Sequence, residues 1–157
     1  PVQQTPAAQC IPKAGDLGES ARKCAIAELD KLEKAGTWTV EQLLYAMNLY
    51  IINFAKNDAT IRPDDMQFVE RAAGFMKKLP PNTVIEVGGH TDSDASDSYN
   101  LNLSERRATS VRNALVAKGV TSTMLRTKAY GESQPKYDNN TDDGKFGNRR
   151  IEYKQVS

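Results

Sequence analysis

An α/β fold is what this chain predicts: a two-layer sandwich with a mixed four-stranded sheet over residues 50–157, its helices packed on one side. A helical extension at 16–49 and a tail at 1–15 precede it. Three observations carry that expectation. From residue 50 onward short apolar runs alternate with longer amphipathic ones, in the order strand, helix, strand, helix, strand, loop, strand. Breakers stand where the runs change, at Pro63, Pro80, Pro81, Gly119 and Gly131. A composition of 39% hydrophobic and 26% charged residues over 157 positions suits one globular domain with a real core.

The elements follow in order. Residues 1–15 are rich in Pro, Gln and Ala and read as a tail or linker. Leu17, Ala21, Cys24, Ala25, Leu29 and Leu32 form one helical stripe, which Gly36 stops. Thr39 opens the next helix, with Gln42 placed to complete a capping box, and Leu43, Leu44, Met47 and Leu49 on its inner side. These two helices are expected to pack together as an appendage. The run "YIINF" at 50–54 reads as a strand and 55–62 as a polar loop. Pro63 suits a first helical turn, with Asp64 and Asp65 near the positive end. Phe68, Val69, Ala72, Ala73, Phe75, Met76 and Leu79 make its broad apolar face, and "PPN" ends it. Residues 84–89 read as a strand. Residues 101–118 read as a helix with Ala108, Val111, Ala114 and Leu115 inward. A strand at 125–130, a long polar loop at 131–145 and an alternating strand at 150–156 complete the chain.

Twenty-one basic and 20 acidic residues leave a formal charge of +1, which gives no global reason to expect nucleic-acid binding. No apolar run approaches the roughly 20 residues that span a bilayer. The two cysteines, Cys10 and Cys24, form no CxxC pair, and a lone histidine does not complete a usual zinc set. A disulfide between them would close a short loop and imply an oxidising compartment. The alternative is a small core residue at Cys24 and a thiol in a loose tail at Cys10.

The chemistry concentrates in "GGHTDSDASDSYNLNLSERRA", residues 88–108. Asp92 follows a strand end and two glycines, and in open α/β sheets ligands sit at such ends. Arg107 lies in the first half of the following helix, beside its buried stripe, whereas Arg106 and Arg112 should face water. Asp92 and Arg107 thus line one shallow pocket. A carboxylate binds an ammonium and a guanidinium forks onto a carboxylate, so the pair suits the zwitterionic head of an amino acid. The plainer alternative is an Asp92–Arg107 salt bridge that pins the loop. Asp92, Asp94 and Asp97, and "DNNTDDG" at 138–144, resemble pieces of calcium loops but lack the glycine and glutamate positions of an EF-hand. Hydrolysis by paired carboxylates needs one acid in a dry pocket, and these acids sit among Ser and Asn. His90 has no nucleophile motif beside it and reads as a hydrogen-bonded structural residue. Along the last strand, alternation sends Arg149, Ile151 and Tyr153 to one face and Arg150 and Glu152 to the other; either this is a solvated strand start or one arginine closes the pocket from the opposite side.

"GHTD" at 89–92, "YNLNLSERRA" at 99–108, "NNTDDGKFGNRRIE" at 139–152 and "INFAKNDATIRPD" at 52–64 together resemble the OmpA-like peptidoglycan-binding domain of bacterial envelope proteins. The resemblance covers residues 50–156. It implies non-catalytic binding of peptidoglycan through the meso-diaminopimelate of its stem peptide, with no cofactor, no metal and no nucleic acid. It implies a periplasmic location, with an anchor to the outer membrane in the full-length protein. The matching ligand residues are Asp92 and Arg107, with Thr91, Asn100 and Leu103 lining the pocket, Arg149 near it, and Asp58 in the loop after the first strand. The sequence departs from the family at "SDASD", where a glycine is common, and at Lys145, where the family has an arginine and a water-facing side chain is expected here. Residues 1–49 lie outside the resemblance; partner docking, spacing from an anchor and regulation are the roles open to them. A calcium-dependent adhesion or protein-interaction module is the alternative function.

Overall fold

Two helices come first, and both obey their sequence signals. α1 (Leu17–Ala35) buries the whole expected stripe from Leu17 to Leu32. Gly36 ends it in the left-handed region at φ 78, returning its N–H to Glu33 and Leu32 carbonyls. α2 (Val40–Leu49) starts with the reciprocal Thr39–Gln42 capping box. The remaining elements are α3 (Pro63–Met76), β1 (Ile85–His90), α4 (Asp97–Ala117), β2 (Leu125–Gly131), α5 (Asp142–Asn148) and β3 (Ile151–Gln155). This computed structural model describes residues 10–156; positions 1–9 of the expected tail lie outside the described residues.

The sheet has three strands, in the order β2-β1-β3, not the expected four. β1 runs parallel to β2 with Ile85 opposite Leu125, and antiparallel to β3 with Val87 opposite Tyr153. The run at 50–54 does not form the outer strand, and the hydrogen bonds give the reason. The Tyr50 ring stacks on Phe68 at 3.9 Å, and its hydroxyl donates to Asp65 of α3 at 2.6 Å. The Asn53 N–H donates to the other Asp65 oxygen at 3.1 Å. Meanwhile the outer edge of β3 is occupied by one side chain. Asn48 Nδ2 donates to the Tyr153 carbonyl at 2.9 Å, and the Tyr153 N–H donates to Asn48 Oδ1 at 2.6 Å. A carboxamide stands where a strand would pair, so the backbone at 50–54 has no ladder to join.

Two further boundaries differ from expectation. α4 begins at Asp97 rather than 101, because Ser96 Oγ accepts from the Tyr99 N–H and caps it there. The expected loop at 131–145 holds the start of α5, capped by Thr141 Oγ1, which accepts from the Gly144 N–H at 2.9 Å.

α1 and α2 do not stand apart as an appendage. Leu29, Leu43 and Met47 are fully buried in the same apolar cluster as Ile85, Val87, Val111 and Ile151. α1 is also capped from a distance. Its own Asp16 makes no side-chain cap; instead the Asp143 carboxylate, from α5, accepts from the Gly15 and Leu17 N–H groups at 2.9 and 3.0 Å. Cys10 and Cys24 are joined as a disulfide, with sulfurs 2.01 Å apart. The Cys10 carbonyl accepts from the Tyr45 hydroxyl at 3.1 Å, which ties the start of the described chain to α2.

Two outcomes follow for stability. Asp143→Ala removes the acceptor of the Gly15 and Leu17 N–H groups at the entry to α1 and should cost about 1–2 kcal/mol in urea unfolding; an unchanged midpoint would contradict the long-range cap. Thiol titration of denatured, unreduced protein should find no free thiol, and reduction should cost about 3 kcal/mol for a loop of this size; two titratable thiols would contradict the pairing.

Candidate functional site

α4 can lie close over β1 because of one glycine. A Cβ at Gly89 would collide with the Ser104 carbonyl of α4. That approach brings the first half of α4 over the end of β1, where the charged residues gather. Beyond His90 the Thr91 N–H donates to the Gly131 carbonyl at 2.8 Å. The Asp92 carbonyl accepts from Thr91 Oγ1 at 2.8 Å and from Asn100 Nδ2 at 3.2 Å. Asn100 also donates to the Ala95 carbonyl, so α4 fixes the whole turn.

With its backbone held, the Asp92 side chain has a set direction. It is 7% exposed. Oδ1 accepts from the Asp94 N–H at 3.0 Å, and Oδ2 accepts from Arg149 Nη1 at 2.6 Å. Arg107, 4% exposed, is placed differently. Its Nε donates to the Asp58 carbonyl at 2.9 Å and its Nη2 to the Ala55 carbonyl at 3.1 Å. Its guanidinium carbon lies 4.8 Å above the Phe54 ring centre. Burial, then the charge of Arg149, pulls its pKa below the ordinary arginine value, but a guanidinium stays charged. The expected alternative of an Asp92–Arg107 salt bridge does not form; the acid pairs with Arg149 instead.

A cleft of about 390 Å³ opens over these groups. Thr91, Asp92, Asn100, Leu103, Arg107 and Arg149 all line it, on three different stretches of chain. Asp58 does not line it with its side chain. Its carboxylate accepts from the Thr60 N–H at 3.0 Å, and only its carbonyl serves the site, by holding Arg107. Sequence reasoning did not single out Asn53, Phe54, Lys56, Ala95 or Tyr99, which complete the wall. The aromatic and the cation in "NFAKN" were the available signal. The Tyr99 hydroxyl donates a short hydrogen bond to Asn57 Oδ1 and so joins α4 to the 55–58 loop.

The acid-rich runs are engaged within the fold. Asp94 pairs with Lys145 at 3.1 Å, so Lys145 does not simply face water. Hydrogen bonding to Asp94 raises the Lys145 pKa. Asp138 Oδ1 accepts from the Asn140 N–H at 2.8 Å, and Asp143 caps α1. Among the described residues, no group of three or more His, Cys, Asp or Glu is placed to hold a metal ion. The His90 ring is buried and stacks on Tyr130 at 4.7 Å, and its Nδ1 has no hydrogen-bond partner among the described residues. Stacking holds the ring, and the hydrogen bond expected of it is not made at Nδ1. Burial, then the Arg150 charge, pushes its pKa down to about 4. Among the described residues, no helix is long and apolar enough to cross a membrane.

Fold and cleft define an α/β domain with an acid and a guanidinium at one strand end. The sequence profile of the OmpA family matches residues 53–149. Outer membrane porin F of Pseudomonas fluorescens is 41% identical over 101 residues, covering 64% of this chain and 31% of that protein. The peptidoglycan-binding protein ArfA of Mycobacterium tuberculosis is 34% identical over 101 residues, with the same 64% and 31% coverage. The crystal structure of the C-terminal domain of Helicobacter pylori MotB is similar with a TM-score of 0.63 at 28% identity, over 68% of this chain and 84% of that one. The chain belongs to the OmpA family. It matches less than a third of the length of these two curated relatives.

His90 makes stability pH-dependent. Its folded pKa of about 4 lies below the ordinary 6.5, so this contribution is complete above about pH 6.5 and lost as pH falls toward 4. Urea unfolding should show the native chain losing about 3 kcal/mol more than His90→Gln over that window; equal losses would contradict a neutral buried imidazole.

Proposed function

We propose that this chain binds peptidoglycan without covalent chemistry, through the diaminopimelate of the stem peptide, and tethers an envelope or outer-membrane protein to the cell wall. The observation that carries the reading is the convergence of Asp92 and Arg107 on one cleft from separate elements. Diaminopimelate in the stem peptide keeps one free end with an ammonium and a carboxylate. Asp92 is the acceptor for the ammonium. Arg107 has spent two donors on main-chain carbonyls and keeps its Nη1 hydrogens for the carboxylate. The name of the relative ArfA, a peptidoglycan-binding protein, supports peptidoglycan as the partner.

The cleft asks nothing of the ligand but placement. No step breaks a bond, and the neutral His90 is stacked on Tyr130. Each charge-assisted contact contributes about 1.5–3 kcal/mol, so two or three of them, less the costs of association, give modest affinity per site. A wall displays many copies of the stem peptide, and an anchored or multimeric protein gains retention through multivalency. The periplasm is the compartment proposed, which suits the Cys10–Cys24 disulfide. An envelope partner would meet the outer faces of α1 and α2, since their inner faces are spent on the core.

Asp92→Ala should abolish pull-down by diaminopimelate-type peptidoglycan while circular dichroism stays native. Arg107→Ala should do the same. Arg107→Lys should lose most binding, because one ammonium neither forks onto a carboxylate nor spans both loop carbonyls. Native binding by the folded Asp92 and Arg107 alanine variants would overturn the assignment.

A further inference from the structure

The charges of the cleft do not balance for a simple zwitterion. Its lining carries three cations, Lys56, Arg107 and Arg149, and two carboxylates, Asp92 and Asp94. Both carboxylates already have partners: Asp92 has Arg149, and Asp94 has Lys145 from just outside the lining. Arg107 is satisfied by carbonyls and faces the cleft with its remaining donors. Lys56 alone among the charged side chains of the lining has no hydrogen-bond or ion-pair partner among the described residues. A ligand head with one ammonium and one carboxylate uses Asp92 and Arg107. It leaves Lys56 without a role.

Its place is nonetheless specified. The loop that carries it is fixed on both sides by the same guanidinium, through the carbonyls of Ala55 and Asp58. The next residue, Asn57, has φ 57, the one positive value outside glycine among the described residues, and its side chain accepts from Tyr99. Asparagine tolerates that conformation better than other non-glycine residues, but it is adopted only where the surroundings hold it. Lys56 is therefore presented at the cleft rim by a loop anchored to the floor and to the opposite wall.

We propose that Lys56 is a specificity-determining residue that pairs with a second carboxylate of the ligand, beyond the one taken by Arg107. This rests on the diaminopimelate reading above. The stem peptide offers two such groups next to diaminopimelate: the α-carboxylate of the preceding γ-linked glutamate and the terminal carboxylate of the following alanine. Lys56 thus makes the cleft select stem peptides whose neighbouring carboxylate is free over those in which it is amidated.

Calorimetry on the full chain tests this with the peptide L-Ala–γ-D-Glu–meso-diaminopimelate–D-Ala in three forms: unmodified, amidated at the glutamate, and amidated at the terminal alanine. At least one amidation should weaken binding to the native chain by about two- to fivefold, the range of an exposed pair, and that form identifies the carboxylate. Lys56→Gln should lose the same factor on the unmodified peptide and become indifferent to that amidation. The assignment is overturned if neither amidation matters to the native chain, if Lys56→Gln binds the unmodified peptide as tightly as the native chain, or if it loses affinity equally for all three forms. Failure of the native chain to bind any of the three would instead overturn the diaminopimelate reading, and the role of Lys56 with it.

Discussion

A guanidinium buried to 4% exposure needs acceptors, and Arg107 finds them in the carbonyls of Ala55 and Asp58 rather than in a carboxylate. Much of the cleft follows from that choice. Two main-chain acceptors take two of its donors without cancelling the charge, so a positive potential remains at the cleft floor. The same bonds shape the 55–58 loop, which makes one wall. The Phe54 ring lies beneath the guanidinium, its centre 4.8 Å from the guanidinium carbon. A carboxylate partner would have given a tighter closed pair and no charge left to bind with. Leaving the charge uncancelled costs stability, and sites that bind carry such costs more often than sites that only hold the fold.

Asp92 shows the complementary arrangement. Its carboxylate is paired, but to Arg149, whose side chain is 40% exposed and sits at the end of the short helix α5. An exposed arginine of this kind is a loose partner, which under the proposed function would yield the acid to a ligand cation. The strand end, the turn held by Asn100 and the capped start of α4 keep Asp92 in place whichever partner it has. Under the proposed function, binding would replace one ion pair by another without having to assemble the site, which limits the entropy lost.

Local chemistry was legible in the sequence, and long-range chemistry was not. The Thr39–Gln42 box, the Gly36 stop and the stripe from Leu17 to Leu32 depend on residues three or four apart, and they stand where the spacing puts them. The convergence of Asp92 and Arg107 on one cleft was also readable, since a strand end and the next helix are neighbours by topology. The fourth strand was lost because Asn48, thirty-odd places before anything in the sheet, occupies the edge of β3 through Tyr153. The cap that Asp143 places on α1 crosses 126 positions, and nothing local announces it. That cap, with the shared apolar cluster, turned an expected appendage into part of the body. Within the cleft, Arg149 was expected to close the pocket, but no spacing rule says that it takes the Asp92 oxygen that Arg107 leaves free.

A crystal structure of the chain with meso-diaminopimelate is the most direct measurement. It should show Asp92 Oδ2 turned from Arg149 to the ligand ammonium, and the ligand carboxylate on Arg107 Nη1, with the Arg107 bonds to Ala55 and Asp58 unchanged. Ligand bound away from this strand end, or bound while the Asp92–Arg149 pair stays closed and Arg107 touches no ligand atom, would contradict the account.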